Sequence, residues 1–406
     1  MDRVLQRSDT FEAGPTFSLL YPQEFSSFLL SPHGQQSCIC VKTQQSGQVV
    51  IKNLEIKIIR GNLRISGKSW SSVDSERPTH IKIIAMHGWL DNSDSFARLA
   101  PMIVQYYYDN THDVQVTIVA YDQVGCGWSQ HRGGDYVNSA IEYSMDMIEV
   151  INALGWRTCG VLAHSLGSSV ALTTISTFGE RFEFYVSIDS FGTFTMQHPD
   201  VEAPFQLRHA ITDRLKYNHS LLVNPQAIKG RSLLFRPQQF EKVKNYNRED
   251  VIDDAANQLV KRYRIYGLDK QSALLFLPRM LHIDEQNVMN SSWNADPRLY
   301  HHITPLPSEA DMEALIKNIK CPTLLIMAEK GYPFDRNKFR TRLNILKHAE
   351  VIWIPEMHHH FHMSHPEQVL SHLVKFLDTK NTVQSRFQLV FKVKIVKVIR
   401  NIVQLL

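Results

Sequence analysis

The sequence predicts an α/β fold: a mostly parallel central sheet with helices on both faces and one long helical insertion. Three observations point there. Short apolar β runs alternate with helical stretches along most of the 406 residues, the order that brings parallel strands together through helical crossovers. The central runs are apolar almost without alternation, as strands covered on both faces have to be. The rhythm breaks once, from Ser190 to about Lys320, where the chain is polar, helix-rich and without a strong strand pattern.

Taken in order, residues 1–45 are rich in Ser, Gln and Phe with no clear periodicity, and a poorly ordered extension is expected. Two β-rich runs in "VVIKNLEIKIIRGNLRISGKSW" flank Arg60-Gly61-Asn62, a hairpin signal. "HIKIIAMHGW", "VQVTIVAYD" (Val114–Asp122) and "CGVLAH" (Cys159–His164) are runs of the buried-strand kind. Between the last two, Ile141, Met145, Ile148, Ile151 and Leu154 recur at steps of three or four, which predicts an amphipathic helix, and Gly155 suits its end. "FYVSID" (Phe184–Asp189), "TLLIM" (Thr323–Met327) and "EVIWI" (Glu350–Ile354) complete the series. The division this implies is a core of residues 46–189 and 321–378, a helical cap of residues 190–320, and an apolar, basic tail of residues 379–406.

Composition excludes several function classes. A content of 43% hydrophobic and 21% charged residues is ordinary for a globular chain. A net charge of +4 is too slight to argue for nucleic acid, and no basic face with interleaved aromatics runs along the body. Five scattered cysteines, Cys38, Cys40, Cys126, Cys159 and Cys321, suggest reduced thiols rather than a disulfide framework. The first residues, "MDRVLQRSDTFEAGPTF", carry acids and no apolar stretch, so no signal peptide is expected. A cytoplasmic location follows as the expectation, and no run of 18 apolar residues predicts a spanning helix. In the tail "FQLVFKVKIVKVIRNIVQLL" (residues 387–406), Lys394, Lys397, Asn401 and Gln404 share one helical face. Three readings are kept for it: a helix packed on the body, peripheral contact with a membrane, and a strand-like edge segment prone to association.

The organisation resembles an α/β-hydrolase core with a helical cap, and chemistry is sought accordingly. In "VLAHSLGSS", Ser165 follows a buried-looking strand and precedes small residues that open a helix. Such a strand–turn–helix elbow forces strained dihedrals on a nucleophile and needs small neighbours two before and two after. Gly167 meets the second need, and Ala163 departs from glycine by one methyl at the first. A serine is also a good helix cap, so the pentapeptide alone leaves both readings open. "MHGWLDN" (Met86–Asn92) places a His-Gly turn after an earlier strand, so the backbone amides of Trp89 and Leu166 are the expected oxyanion hole. Asp122, in "YDQVGCGWS", is read as holding its glycine-rich loop. For the base, "IPEMHHHFHMSHPEQV" offers five histidines, and Pro355 plus four selects His359. Histidine clusters also bind zinc, but consecutive histidines on a loop diverge and no cysteine or acidic motif accompanies them. Neither a metal nor a cofactor is expected. The acid is open: Asp335 in "AEKGYPFD" is preferred because it keeps the chain order Ser, acid, His. Asp189, after the earlier strand, and Glu329 are the alternatives, and the offset normal for the acid holds Gly331.

"HGWLDN" with Phe96, "YDQVGCGWSQHRGGDY", "LGW", "HSLGSS", "WNADPRL" and "GYPFD" together resemble the serine hydrolase-like proteins of animals, within the α/β-hydrolase superfamily, over roughly residues 50–378. The resemblance implies an α/β-hydrolase fold, a nucleophile at Ser165 and hydrolase activity on an ill-defined substrate. It favours Asp335, because "GYPFD" fits the family's late loop with one insertion. Some relatives are peroxisomal, but the Ser-Lys-Leu type of tail is missing here. Cys126, Ala163 and Glu356 depart from the family pattern without removing a reacting group. The function expected is hydrolysis of a lipophilic ester, thioester or related small acyl substrate. The alternative is a catalytically weakened relative that binds a small ligand or a protein. Haloalkane dehalogenase and epoxide hydrolase chemistry use aspartate at the elbow, and this chain has serine.

Overall fold

The computed structural model describes residues 38–73, 77–133, 139–196, 202–209, 211–212, 215, 233–234, 247–300 and 306–379. Most of the expected extension and the whole of residues 387–406 lie outside the described residues. Nine strands form the main sheet: β1 (Cys38–Ser46), β2 (Val49–Ile58), β3 (Leu63–Ser72), β4 (Thr79–Met86), β5 (Val114–Tyr121), β6 (Cys159–His164), β7 (Phe182–Ile188), β11 (Thr323–Lys330) and β12 (Ala349–His358). Their order across the sheet is β1-β2-β3-β5-β4-β6-β7-β11-β12. From β5 to β12 every neighbour is parallel, and β1 to β3 add an antiparallel edge. The fold class read from the sequence is the fold observed.

Alternation of side chains explains why these runs had to be apolar throughout. Ile84, Val161 and Leu325 face one core, together with helices α2 (Ala140–Ala153), α3 (Leu166–Thr177), α6 (Glu309–Lys317) and α7 (Arg336–Ile345). Ile83, Leu162 and Leu324, one residue away in each strand, face a second core with helix α1 (Leu99–Asn110) and the helix of residues 366–379. Each fully buried aliphatic side chain contributes about 1.5–3 kcal/mol, so two covered faces give the sheet its stability.

Three expectations need correction. The first strand begins at Cys38, inside the stretch expected to be poorly ordered, because Cys38–Ser46 pairs antiparallel with β2 along nearly its whole length. Helix α2 is present, but Ile141 is 66% exposed and Met145 is exposed as well. Ile148 and Ile151 are buried as expected, and Tyr143, Met147 and Val150 complete the inward face, phased by a buried Asp146 that pairs with Arg60 and Arg132. The interval 190–320 is not purely helical. Helices α4 (Arg248–Arg262) and α5 (Lys270–Met280) are flanked in sequence by a small antiparallel sheet of β8 (Leu233–Leu234), β10 (Ser292–Trp293) and β9 (Leu281–His282). Strands of two residues leave no periodicity to read.

The two cap helices share their own apolar cluster around Val251, Leu259, Phe276 and Leu277. Arg279, fully buried on α5, anchors them to the sheet: its guanidinium donates to Asp122 at 2.8 Å and to Asp94 at 3.2 Å, and stacks on Trp128. Asp122 also accepts from the amides of Ser93 at 2.7 Å and Trp128 at 2.9 Å, so it holds its loop as read from the sequence. Among the described residues no helix is long and apolar enough to cross a membrane.

Candidate active site

Three loops at the carboxyl ends of the parallel strands β6, β7 and β12 supply the site. Ser165 follows β6 and sits at φ 52°, ψ −120°, a strained conformation for a residue with a side chain. Its amide donates to Ile188 O at 3.2 Å, and its carbonyl accepts from Ser168 at 2.9 Å as α3 begins. The tight neighbours expected around it are required. A Cβ on Gly167 would lie 2.4 Å from Met86 O and 2.6 Å from His87 O. Glycine there lets the start of α3 touch the backbone that leaves β4. The turn carrying Trp89 and the helix start carrying Leu166 are thereby held together, and Leu90 in that turn also has a positive φ of 62°. The Trp89 indole N–H donates to Leu299 O in the cap segment at 3.2 Å.

His359 leaves the end of β12 and is 5% exposed. Its Nε2 lies 2.8 Å from Ser165 Oγ and its Nδ1 lies 2.6 Å from Asp189 Oδ2. A carboxylate only accepts, so Nδ1 carries the hydrogen and Nε2 presents its lone pair to the serine hydroxyl. Burial pushes the imidazole below its ordinary pKa, and the Asp189 carboxylate pulls the other way. The ring is therefore neutral near pH 7, the form a proton acceptor needs.

The preferred acid, Asp335, is not at this site. It is the N-cap of α7, its carboxylate accepting from the amides of Asn337 at 2.8 Å and Lys338 at 3.2 Å. Glu329 accepts from the Glu356 amide at 3.0 Å on the surface. Asp189, the alternative, is the carboxylate beside His359. It turns out of β7 at φ 47°, and its oxygens accept from the amides of Ala328 and Tyr332, each at 2.9 Å. Gly331, which occupies the usual acid offset, lies against this carboxylate: a Cβ there would be 2.2 Å from Asp189 Oδ2. The absent side chain at 331 was the sequence signal for Asp189.

Sequence reading missed two further features. Tyr266, from the cap, and Tyr332 stack at 5.3 Å and 7°, and both lie beside the His359 ring, at 5.7 and 5.3 Å. Beneath the same ring, His164 is fully buried, with its centroid 4.6 Å from that of His359. A separate cavity of about 1190 Å³, lined by Trp128, His131, Leu277 and His282 among others, contains none of Ser165, His359 and Asp189.

Comparison with known proteins agrees with this architecture. The family model described as alpha/beta hydrolase fold matches residues 83–330. A serine hydrolase-like protein of Dictyostelium discoideum is 24% identical over 77% of this chain and 78% of its own length. A serine hydrolase-like protein of Danio rerio is 23% identical over 81% and 89%, and a probable serine hydrolase of Drosophila melanogaster is 23% identical over 77% and 84%. The crystal structure of a hypothetical protein from Pseudomonas aeruginosa superposes with a TM-score of 0.59 at 24% identity, covering 78% of this chain and 96% of that one. A thioesterase domain from the curacin biosynthetic pathway gives 0.59 at 16% identity, covering 79% and 99%. The matched span covers more than half of the chain and holds β5, β6, β7 and β11 with the loops of Ser165 and Asp189, so the chain belongs to the α/β-hydrolase fold family.

Proposed function

We propose that the protein is a serine hydrolase of carboxylic esters, thioesters or related acyl compounds, working through Ser165, His359 and Asp189. The observation that carries the reading is the unbroken relay from Ser165 Oγ to His359 Nε2 at 2.8 Å and from His359 Nδ1 to Asp189 at 2.6 Å. Ser165 Oγ attacks the substrate carbonyl as its proton passes to His359 Nε2. Negative charge gathers on the former carbonyl oxygen, where the amides of Trp89 and Leu166 are assigned to receive it. Collapse expels the alcohol or thiol, which takes the proton from Nε2. Water, activated by the same nitrogen, then releases the acid and restores the serine. Asp189 holds the ring in the required tautomer and offsets the charge of imidazolium.

The Tyr266–Tyr332 wall supports a lipophilic or aromatic acyl group, because stacked rings offer flat apolar area beside the reacting atoms. The alternative, a weakened relative that binds a small ligand or a protein, is motivated by the displaced acid and the altered elbow; the Asp189–His359 contact favours the enzyme reading. A fluorophosphonate probe tests the proposal. Labelling of the folded chain that disappears in Ser165→Ala supports it, and a folded wild type that resists the probe overturns it. A panel of p-nitrophenyl esters of graded chain length then separates short from long acyl preference.

A further inference from the structure

A buried set of metal-ligand side chains lies directly behind the Ser165–His359 pair, and the proposed hydrolysis makes no use of it. Asp91 comes from the turn after β4, His164 from the end of β6 and His360 from the loop after β12. All three are at most 2% exposed. Asp91 Oδ2 is 3.6 Å from His164 Nδ1 and 3.7 Å from His360 Nε2, and the three donor atoms all lie within 4.8 Å of one another. These separations are too long for hydrogen bonds. The two Asp91–imidazole separations are close to the edge of a tetrahedron built on bonds of about 2.0–2.2 Å, which is about 3.3–3.6 Å.

The tautomer of His164 sharpens the point. Its Nε2 lies 3.0 Å from the carbonyl oxygen of His359, so Nε2 carries the hydrogen and Nδ1 turns a bare lone pair toward the Asp91 carboxylate. Neither His164 Nδ1 nor Asp91 Oδ2 has a hydrogen-bond partner. Two facing acceptors in a buried place are unfavourable unless something positive lies between them. A metal ligand whose second ring nitrogen donates to a carbonyl is also the usual way an imidazole is oriented toward a metal. Space is kept for it: a Cβ on Gly88 would sit 2.8 Å from Asp91 Oδ2 and 3.0 Å from His164 Nδ1. Glycine leaves that volume open.

We propose that Asp91, His164 and His360 bind one divalent transition-metal ion of the Zn²⁺ class. Two imidazole nitrogens and one carboxylate suit such an ion and not the all-oxygen preference of Mg²⁺ or Ca²⁺. The position, away from the serine hydroxyl and sealed by protein, gives it a clamping role. It ties the residue before Ser165 to the residue after His359, and so holds the elbow and the histidine loop together. Of the histidine run, only His360 takes part. The other two ligands come from distant segments, which is why divergence along the run did not exclude a site.

The test uses the full chain stripped with chelator and then titrated with ZnCl₂ or CoCl₂. The expected result is one equivalent bound per chain, a higher melting temperature, and the tetrahedral Co²⁺ absorption pattern without thiolate charge transfer. Asp91→Asn and His360→Gln should each lose stoichiometric binding, while His365→Ala, on the exposed surface, should keep it. No uptake by the wild type overturns the proposal, as does equal uptake by both ligand variants. If either variant fails to fold, the wild-type Co²⁺ spectrum decides alone: an octahedral aquo pattern or a thiolate band overturns the site.

Discussion

Asp189→Asn and Asp335→Ala together separate the two carboxylates that sequence reasoning could not. In Asp189→Asn the side chain keeps its shape but gains an NH₂. Asp189 now accepts from Ala328 N and Tyr332 N while receiving His359 Nδ1–H. If the introduced NH₂ faces Tyr332 and His359, it donates to Nδ1 and moves the imidazole hydrogen to Nε2. That nitrogen then points a hydrogen at Ser165 and cannot take the serine's proton. If the new amide is flipped, its NH₂ meets the Ala328 N–H instead. Either way one buried backbone amide loses its acceptor, at a cost of about 1–3 kcal/mol of stability. The wrong tautomer costs roughly 10⁴-fold in turnover where this substitution is understood, about 5.4 kcal/mol at 1.36 kcal/mol per decade. Asp335→Ala removes only an N-cap, worth about 0.5–2 kcal/mol of stability, and leaves the relay alone. The assay is the rate of fluorophosphonate labelling and p-nitrophenyl ester hydrolysis, with urea unfolding on the same samples. Asp189→Asn within tenfold of the wild type, with Asp335→Ala inactive, would refute the assignment of the acid.

Other consequences follow from the same geometry. Ser165→Gly should raise the unfolding free energy in urea by about 0–2.5 kcal/mol, since release of about 1–3 kcal/mol of backbone strain is set against roughly 0.5–1 kcal/mol of extra glycine entropy; a less stable variant would mean the elbow is unstrained. Gly331→Ala drives a methyl into the Asp189 carboxylate and should lower activity by about 10²-fold or more through misplacement alone, read against an unchanged circular dichroism spectrum. Arg279→Met leaves Asp122 without its cation in a dry interior, while Asp94 keeps Lys68, and should cost about 3–5 kcal/mol in denaturant unfolding. The acid limb of the rate should be centred below 6.5, because burial depresses the His359 pKa; a limb centred above 6.5 would contradict this. His87 and His362 are also depressed by burial. The unfolded chain therefore takes up their protons first, and each adds a loss of up to about 1.4 kcal/mol per pH unit once pH drops through 6.5.

What the sequence made legible is what local chemistry enforces. The parallel strands could be read because a residue pair such as Leu324 and Leu325 must satisfy two cores at once. Ser165 and His359 could be read because each follows a strand end with a recognisable spacing. The phase of α2 could not, since Asp146 is buried by Arg60 and Arg132 from other elements, and an acid inside defeats a count of apolar positions. The cap's small sheet escaped for a related reason: pairs such as Leu233–Leu234 with Ser292–Trp293 exist only through long-range contact. Asp91 and His164 carried no signal as a pair, being far apart in sequence with α1, β5 and α2 between them.

The acid is the instructive case, because two loops compete for one volume. Strands β7 and β11 are parallel neighbours in register, with Ile188 opposite Ile326, so the residues just beyond them converge on the same face of His359. A carboxylate from either loop reaches the imidazole, but both cannot fit. When Asp189 turns inward, the β11 loop must give up its side chain at the facing position, and that position holds Gly331, with room for no Cβ. Its loop contributes backbone instead: the amides of Ala328 and Tyr332 hold the Asp189 carboxylate. The aspartate further along, Asp335, is free to cap α7. Chain order follows from the same exclusion. Asp189 still falls between Ser165 and His359, so the order Ser, acid, His never distinguished it from Asp335. What distinguished them was a glycine, read as a gap when it marked the place where the other strand's acid sits.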